Sequence, residues 1–332
     1  MTTTTPDLMI EARGLVKRYG DFTAVDHLDL EVKTGEVFGI LGPNGAGKTT
    51  TLEMMEGLRT PDAGSIRVAG IDAVADADAV RRVIGVQLQS TALFPFLSGA
   101  ELIELFASLY GVDSSQARVD ELLNSVGLID KRSNRVDQLS GGQQQRLSIT
   151  LALVNKPKVV FLDEPTTGLD PGARRELWKT VQDVRASGTT VVLTTHYMEE
   201  AEVLCDRVAV MNAGKIIALG TPAGLIRDLG ATATIRARVA SGTLDHAAAE
   251  DLPAATGALF EGDRLELKTT NVQLTLVGLL ELANRAGVTL DDLGASQATL
   301  EDVFLSLTGR KLVEHEQLDE AVPTAKKRRG RG

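Results

Sequence analysis

Four short apolar runs punctuate the first part of the chain: EVFGILG (36 to 42), VIGVQLQ (83 to 89), KVVFLDE (158 to 164) and TVVLTTH (190 to 196). Each is closed by polar or turn residues and followed by residues at helical spacing, which predicts buried parallel strands joined by helices, an α/β sheet. Ligands of such sheets gather beyond the carboxyl ends of the strands. The glycine-rich loop after the first run, Gln89, Asp163 with Glu164, and His196 are therefore expected to share one crevice.

Between the second and third runs, residues 98 to 155 hold Leu102, Leu105 and Leu109, then Val119, Leu122 and Val126, then Leu147, Leu151 and Val154 at helical periods. A helical insert is predicted. Asp170 and Pro171 supply an N-cap and a first-turn proline for a helix whose face is Leu177, Val181 and Val184 and whose end is Gly188.

The pattern changes after about residue 230. ATATIRARVASG and RLELKT alternate like half-exposed strands, while NVQLTLVGLLELANRAG and ATLEDVFLSLTG read as helices. A small α+β unit over residues 231 to 312 is predicted, with the alanine-rich DHAAAEDLPAATGA as a surface loop. Residues 313 to 332 contain few apolar side chains and are expected to form a disordered basic tail.

Composition bounds the class. A chain of 332 residues with 43% hydrophobic content can build one large domain or two modest ones, which sets aside disordered and fibrous proteins. The net charge of −10 sets the body against nucleic acid and anionic lipid, so no nucleic-acid partner is expected. Positive charge concentrates in the terminal KKRRGRG, which reads first as a solvated, disordered end and otherwise as a headgroup-binding or nucleic-acid-binding segment. The lone Cys205 excludes an intramolecular disulfide and a cysteine-rich metal site, and fits a reducing compartment. The opening MTTTTPDLMIEARG lacks the basic start and apolar core of a secretory signal. No apolar run approaches the roughly 20 residues of a membrane span, so a membrane role is expected to run through a partner.

Candidate chemistry begins at GILGPNGAGKTTTLEMMEG (39 to 57), which matches G-x-x-x-x-G-K-[ST] at Gly42, Gly47, Lys48 and Thr49 between a strand and a helix. Such a loop turns successive amide hydrogens toward phosphate oxygens, and the helix adds the positive end of its dipole. Gly42, Pro43, Asn44, Gly45, Ala46, Gly47, Lys48, Thr49 and Thr50 are thus candidates for a triphosphate cradle. In it Lys48 faces the β and γ phosphates and Thr49 a magnesium ion. Asp163 and Glu164 end an apolar strand, where burial penalises charge. Asp163 is a candidate to hold the magnesium and Glu164 to polarise the attacking water. LSGGQQQR (139 to 146) opens a helix in which Ser140 and Gln143 have capping-box spacing. Capping leaves Gly141 and Gly142 unexplained, because glycine is a poor helix former; close approach to a ligand accounts for both.

The order of phosphate loop, Gln89, LSGGQ, FLDEPTTGLD and His196 resembles the ATP-binding subunit of ABC transporters over residues 8 to about 228, and the LSGGQ element is specific to that class. The resemblance implies a P-loop NTPase of ABC type that uses ATP and Mg2+. Two copies meet head to tail, each ATP lying between one phosphate loop and the Ser140, Gly141, Gly142 and Gln143 of the other. Tyr19 is implied to stack on adenine, Gln89 to sense magnesium and the attacking water, and His196 to contact the γ-phosphate while holding Glu164. The implied catalytic set is Glu164, His196, Gln89 and Lys48, and the implied metal set Thr49, Gln89 and Asp163. Asp170 is implied to line the dimer seam, beside its N-cap role. Leu93, Phe94, Phe96 and Leu97 either meet a helix of the membrane subunit or fill the joint between insert and sheet.

ALGTPAGLI and ATLEDVFLSLTGR are similar to the end of daunorubicin-resistance-type exporter ATPases, although an amphipathic helix using Leu300, Val303, Phe304 and Leu307 would give much of the second match. The expectation is an ATP-hydrolysing exporter subunit, peripheral at the cytoplasmic face of the cell membrane, paired with a separate integral membrane permease. An importer ATPase and a soluble ABC-type ATPase on ribosomes or DNA are the alternatives. The expected division is an ATPase domain over 1–230, with its helical subdomain about 90–156, the α+β unit over 231–312 and the tail over 313–332.

Overall fold

The computed structural model describes residues 7–87, 93–228 and 233–309. Strands β1 (Leu8–Tyr19) and β2 (Phe22–Lys33) form an antiparallel pair, and β3 (Val37–Leu41) leads through the glycine loop into α1 (Lys48–Met55). The chain continues through β4 (Ala63–Val68), β5 (Ile71–Asp72), α2 (Ala77–Val83) and β6 (Ile84–Val86). Helices α3 (Gly99–Tyr110), α4 (Gln116–Ser125) and α5 (Gly141–Ala152) build the insert. Then come β7 (Val159–Asp163), α6 (Pro171–Ala186), β8 (Thr190–Thr195), α7 (Met198–Leu204), β9 (Arg207–Asn212), β10 (Lys215–Gly220) and α8 (Pro222–Asp228). The C-terminal part contains β11 (Ala233–Ser241), α9 (His246–Glu250), β12 (Ala255–Glu261), β13 (Arg264–Thr269), α10 (Val272–Ala286), β14 (Thr289–Gln297) and α11 (Leu300–Thr308).

The central sheet has the order β10-β9-β3-β8-β7-β6 and is parallel except where β10 returns antiparallel along β9. Its inner strands are largely apolar because both faces are covered, with polar residues such as Thr190, Thr194 and Thr195 of β8 at the strand ends, and alternate side chains serve two cores. Phe38, Ile40, Val159, Phe161 and Val192 face one core with α1 and the antiparallel sheet β2-β1-β4-β5. Val37, Leu41, Val160, Leu162, Val191 and Leu193 face the other with α6 and α7. All four apolar runs read from the sequence become strands of this sheet.

The insert has its own core of Leu102, Ile103, Val119, Leu122, Leu147 and Leu151. One predicted face is corrected. Leu105 and Leu109 point outward, Leu109 at 74% exposure, and α3 instead buries Leu102, Ile103 and Ala107. The segment Glu104 to Tyr110 is apolar on too many sides for spacing to choose a face.

The C-terminal sheet β12-β13-β11-β14 packs Ile235, Leu265 and Leu267 beneath Leu279 and Ala283 of α10. DHAAAEDLPAATGA is not a surface loop: it forms α9 and enters β12, with Ala249 and Leu252 in that core. A second correction concerns α11, which the sequence places in the C-terminal unit. Leu300, Val303 and Phe304 join the second core of the central sheet, and the Leu300 amide donates to Glu202 Oε1 of α7 at 2.7 Å. Residues 313–332 lie outside the described residues.

Candidate nucleotide site

The loop between β3 and α1 lies tightly against its neighbours. A Cβ on Gly42 would sit 2.3 Å from the Met211 carbonyl oxygen, and one on Gly47, at φ +101°, 2.3 Å from that of Ala24. Side chains at these positions would push the loop off β9 and β2. Ala46 is buried, and its amide donates to the Pro43 carbonyl. Gly47 is the N-cap of α1 and no side chain caps the helix, so its first amides are open to an anion in the cleft.

Lys48 is 5% exposed; its Nζ donates to the Gly42 carbonyl at 2.9 Å and the Pro43 carbonyl at 3.3 Å, and lies 3.1 Å from Glu164 Oε1. Glu164 follows directly on β7 with φ +47°, a left-handed conformation costly for a side chain of this kind. The bend is secured because the Glu164 amide donates to Thr194, to its hydroxyl at 3.0 Å and its carbonyl at 3.2 Å. The carboxylate is thereby turned into the cleft. Oε2 lies 3.2 Å from His196 Nδ1 and accepts from the Thr167 hydroxyl at 3.2 Å. His196 first, and Lys48 beside it, hold the Glu164 carboxyl down to about 2 against the opposing effect of burial, so it is ionised at neutral pH.

Asp163 closes the floor. It accepts hydroxyl hydrogen bonds from Thr49, at 3.1 Å, and from Thr194. Thr49 and Asp163 offer the hard oxygen donors that suit Mg2+, which keeps several waters and asks few protein ligands. Among the described residues no cluster of three or more histidine, cysteine or carboxylate side chains could hold a metal by itself. Glu56, at the end of α1, was not singled out from the sequence. It is 4% exposed, and burial, then Asp163 and Glu53, push its carboxyl up to about 8.

The cleft, about 220 Å³, is lined by Tyr19, Phe22, Ala24, Asn44, Gly45, Gly47, Lys48, Thr49, Thr50 and Glu164. Tyr19 and Phe22 are paired across the tip of the β1–β2 hairpin. Sequence reasoning missed Phe22, although an aromatic just past a turn from Tyr19 was a usable signal. Arg59, paired with Glu53 at 2.6 Å, stands 5.4 Å from the Tyr19 ring centroid. A larger recess of about 450 Å³, lined by Asp26, His27, Leu28, Asp29, Lys215 and Ile216, shares none of these residues.

Other expected residues fall elsewhere. Ser140 and Gln143 make the reciprocal capping box of α5, at 3.3 and 3.0 Å, and with Gly141 and Gly142 they do not line the cleft. A Cβ on Gly142 would lie 2.8 Å from that of Ala173, so packing of α5 on α6 by itself demands a glycine there; Gly141 faces open space. Asp170 accepts from the amides of Gly172 and Ala173, which lower its pKa, and caps α6. The two readings of the 93–97 segment divide between its residues. Leu93 and Leu97 pack into the insert, whereas Phe94 and Phe96 are 53% and 73% exposed. Gln89 lies outside the described residues.

A phosphate loop at one strand end, paired acids at another, a histidine at a third and a helical insert define a P-loop ATPase cassette. The family described as ABC transporter matches residues 25–167, and the family described as ABC transporter domain-containing protein-like, C-terminal domain, matches residues 234–299. The daunorubicin resistance ATP-binding protein DrrA3 of Streptomyces coeruleorubidus is 43% identical, over 91% of this chain and 96% of its own. The linearmycin resistance ATP-binding protein LnrL of Bacillus subtilis is 35% identical, over 92% and 99%. Among solved structures, a dimeric bacterial ABC transporter cassette superposes with a TM-score of 0.58 at 28% identity, covering 64% of this chain and 98% of that one. An ATP-binding subunit of an ABC transporter gives 0.59 at 29% identity, covering 67% and 93%. The chain belongs to the ABC transporter ATP-binding family, and it is an ATPase.

Proposed function

We propose that this chain is the ATP-hydrolysing subunit of a drug or natural-product exporter, acting as a head-to-tail dimer on a separate integral membrane permease at the cytoplasmic face of the membrane. The observation that carries the catalytic part is the placement of Glu164 between Lys48 and His196, beside Thr49 and Asp163. The export part draws on the relatives, whose names specify resistance to daunorubicin, resistance to linearmycin and Nod factor export. Dimeric cassettes among the structural neighbours support the pairing of two copies.

In this reading the amides at the start of α1 and Lys48 receive the triphosphate, while Tyr19 offers its ring to the base. Thr49 and Asp163 would hold Mg2+, with Gln89 joining them as the sequence leads one to expect, and the ion would supply neutralising charge for the phosphate oxygens. Glu164, ionised and bent into the cleft, orients the attacking water by accepting its hydrogen bond. When Lys48 turns to phosphate, the carboxylate loses its ammonium partner and becomes more basic. His196 keeps it in register. A second copy closes the site with its Ser140, Gly141 and Gln143 at the amino end of α5, and Asp170 lies toward the seam. The exposed Phe94 and Phe96 face the permease. We read residues 8–228 with α11 as the ATPase body, the insert within it, and residues 233–297 as the appended unit.

Glu164→Gln tests the proposal. With ATP and Mg2+ the full-length variant is expected to retain nucleotide, elute as a dimer and release phosphate about a hundredfold more slowly or worse. Undiminished release removes Glu164 from the mechanism, and a strictly monomeric nucleotide-loaded variant defeats the dimer. Mild detergent extraction should bring one polytopic membrane protein with the chain; recovery without one counts against the permease.

A further inference from the structure

Glu200 is fully buried on α7, the helix that follows His196. An apolar side chain would fill this position without desolvating a carboxyl, so a glutamate here needs polar partners to be tolerable. Its surroundings come from three segments. From α6, Trp178 Nε1 donates to Oε1 at 3.3 Å. The hydroxyls of Thr195 and Thr166, both buried, lie against the carboxyl and temper the upward push that burial gives its pKa. The Thr195 hydroxyl already accepts from the Tyr197 amide at 2.9 Å, which leaves its own proton for Glu200.

The positions of those two threonines matter. Thr195 immediately precedes His196, and Thr166 stands two residues beyond Glu164. Glu200 Oε2 and Thr166 Oγ1 are buried without a well-formed hydrogen bond, so this contact has room to tighten. A second link runs the same way: the Arg174 guanidinium of α6 lies 4.3 Å from the Tyr197 ring centroid, and that ring lies tilted against His196 with centroids 4.1 Å apart. We propose that Glu200 is a positioning residue that ties the Thr166 loop to the Thr195–His196 segment and so keeps Glu164 and His196 in mutual register during hydrolysis. This rests on the catalytic reading of Glu164 and His196 given above.

The test compares Glu200→Leu and Glu200→Gln in the full-length chain, reading kcat, KM, ATP affinity and thermal midpoint. Leucine fills the space but leaves the Trp178 indole N–H and the two threonine hydroxyls without their acceptor, which lowers stability. The leucine variant is expected to fold, to melt somewhat below the parent and to bind ATP within about twofold, while kcat, read well below the midpoint, falls about tenfold to a hundredfold from misplacement of the reacting groups. Glutamine keeps the acceptor for Trp178 and should recover most of kcat. Parental kcat in Glu200→Leu overturns the inference, as does a loss of kcat matched by equal losses of ATP affinity and melting temperature. If the leucine variant fails to fold, Thr166→Val takes its place with the same measurements, and parental kcat there overturns the inference equally. Glu164→Gln measured alongside separates the two levels. Should it still turn over, the catalytic reading fails; should it be inactive while Glu200→Leu is normal, only the present inference fails.

Discussion

Lys48 Nζ and Glu164 Oε1 stand 3.1 Å apart, so the cation that ends the phosphate loop after β3 is paired with the carboxylate that follows β7, two strands away in the sheet. In the proposed reading, a triphosphate in the cleft and Glu164 compete for one ammonium group. Lys48→Ala removes the cradle's charge, and it also releases the Glu164 carboxyl upward from about 2, leaving His196 as its main support. ATP affinity is expected to fall about tenfold to a hundredfold, the range of one charge-assisted contact. Equal nucleotide binding by parent and variant in a calorimetric titration would dismiss the cradle.

Glu56 makes stability depend on pH. Its carboxyl titrates at about 8 in the folded protein against an ordinary value of 4.5. Below 4.5 it is neutral in both states. From there to about 8 only the unfolded chain ionises, so stability is lost progressively as pH rises through that window. The full loss is on the order of 5 kcal/mol. Glu56→Gln should therefore gain a few kcal/mol over the parent near pH 8 and little near pH 5, measured by urea unfolding without nucleotide or metal. Parallel stability curves for the two proteins would show that Glu56 titrates normally.

The signature helix separates packing from ligand contact. Gly142→Ala forces its Cβ against Ala173 and is expected to cost about 1–2 kcal/mol, with Ala173→Gly restoring most of it. Gly141→Ala meets open space and should leave the melting temperature unchanged while lowering ATP turnover. If Gly141→Ala hydrolyses ATP normally, the backbone at that position makes no close approach to nucleotide.

Phe304 packs in the second core of the central sheet. Phe304→Ala should destabilise the core shared by the central sheet, α6 and α7 by about 3 kcal/mol or more. The readout is the thermal midpoint of the ATPase body. An unchanged midpoint would mean that α11 only rests on the surface.

Much of this was legible in the chain because the chemistry is local. Parallel strands covered on both faces are apolar along most of their length, so VFGIL and the VVFL of VVFLD announce themselves. The phosphate loop, the N-cap Asp170 and the capping box of Ser140 and Gln143 act over three to six residues, and their spacing survives in one dimension. The long strands β1 and β2 escaped notice because bulges break their two-residue period at several points. Local spacing likewise could not decide between Leu105 and Ile103 on α3, since both lie on apolar stripes and only the packing of α4 and α5 selects one.

The kind of site follows from the chain alone: a triphosphate loop, paired acids, a histidine and a signature helix, each encoded by residues close together in order. It took the folded arrangement to put Glu164 between Lys48 and His196, to make Gly142 answer to Ala173, to pack α11 on the core of the central sheet, and to bring Glu200 to the segments of Thr166 and Thr195. The reason is physical. Local spacing specifies hydrogen bonds within a turn or a strand, whereas contacts between distant segments depend on which faces remain to be covered once those elements have formed.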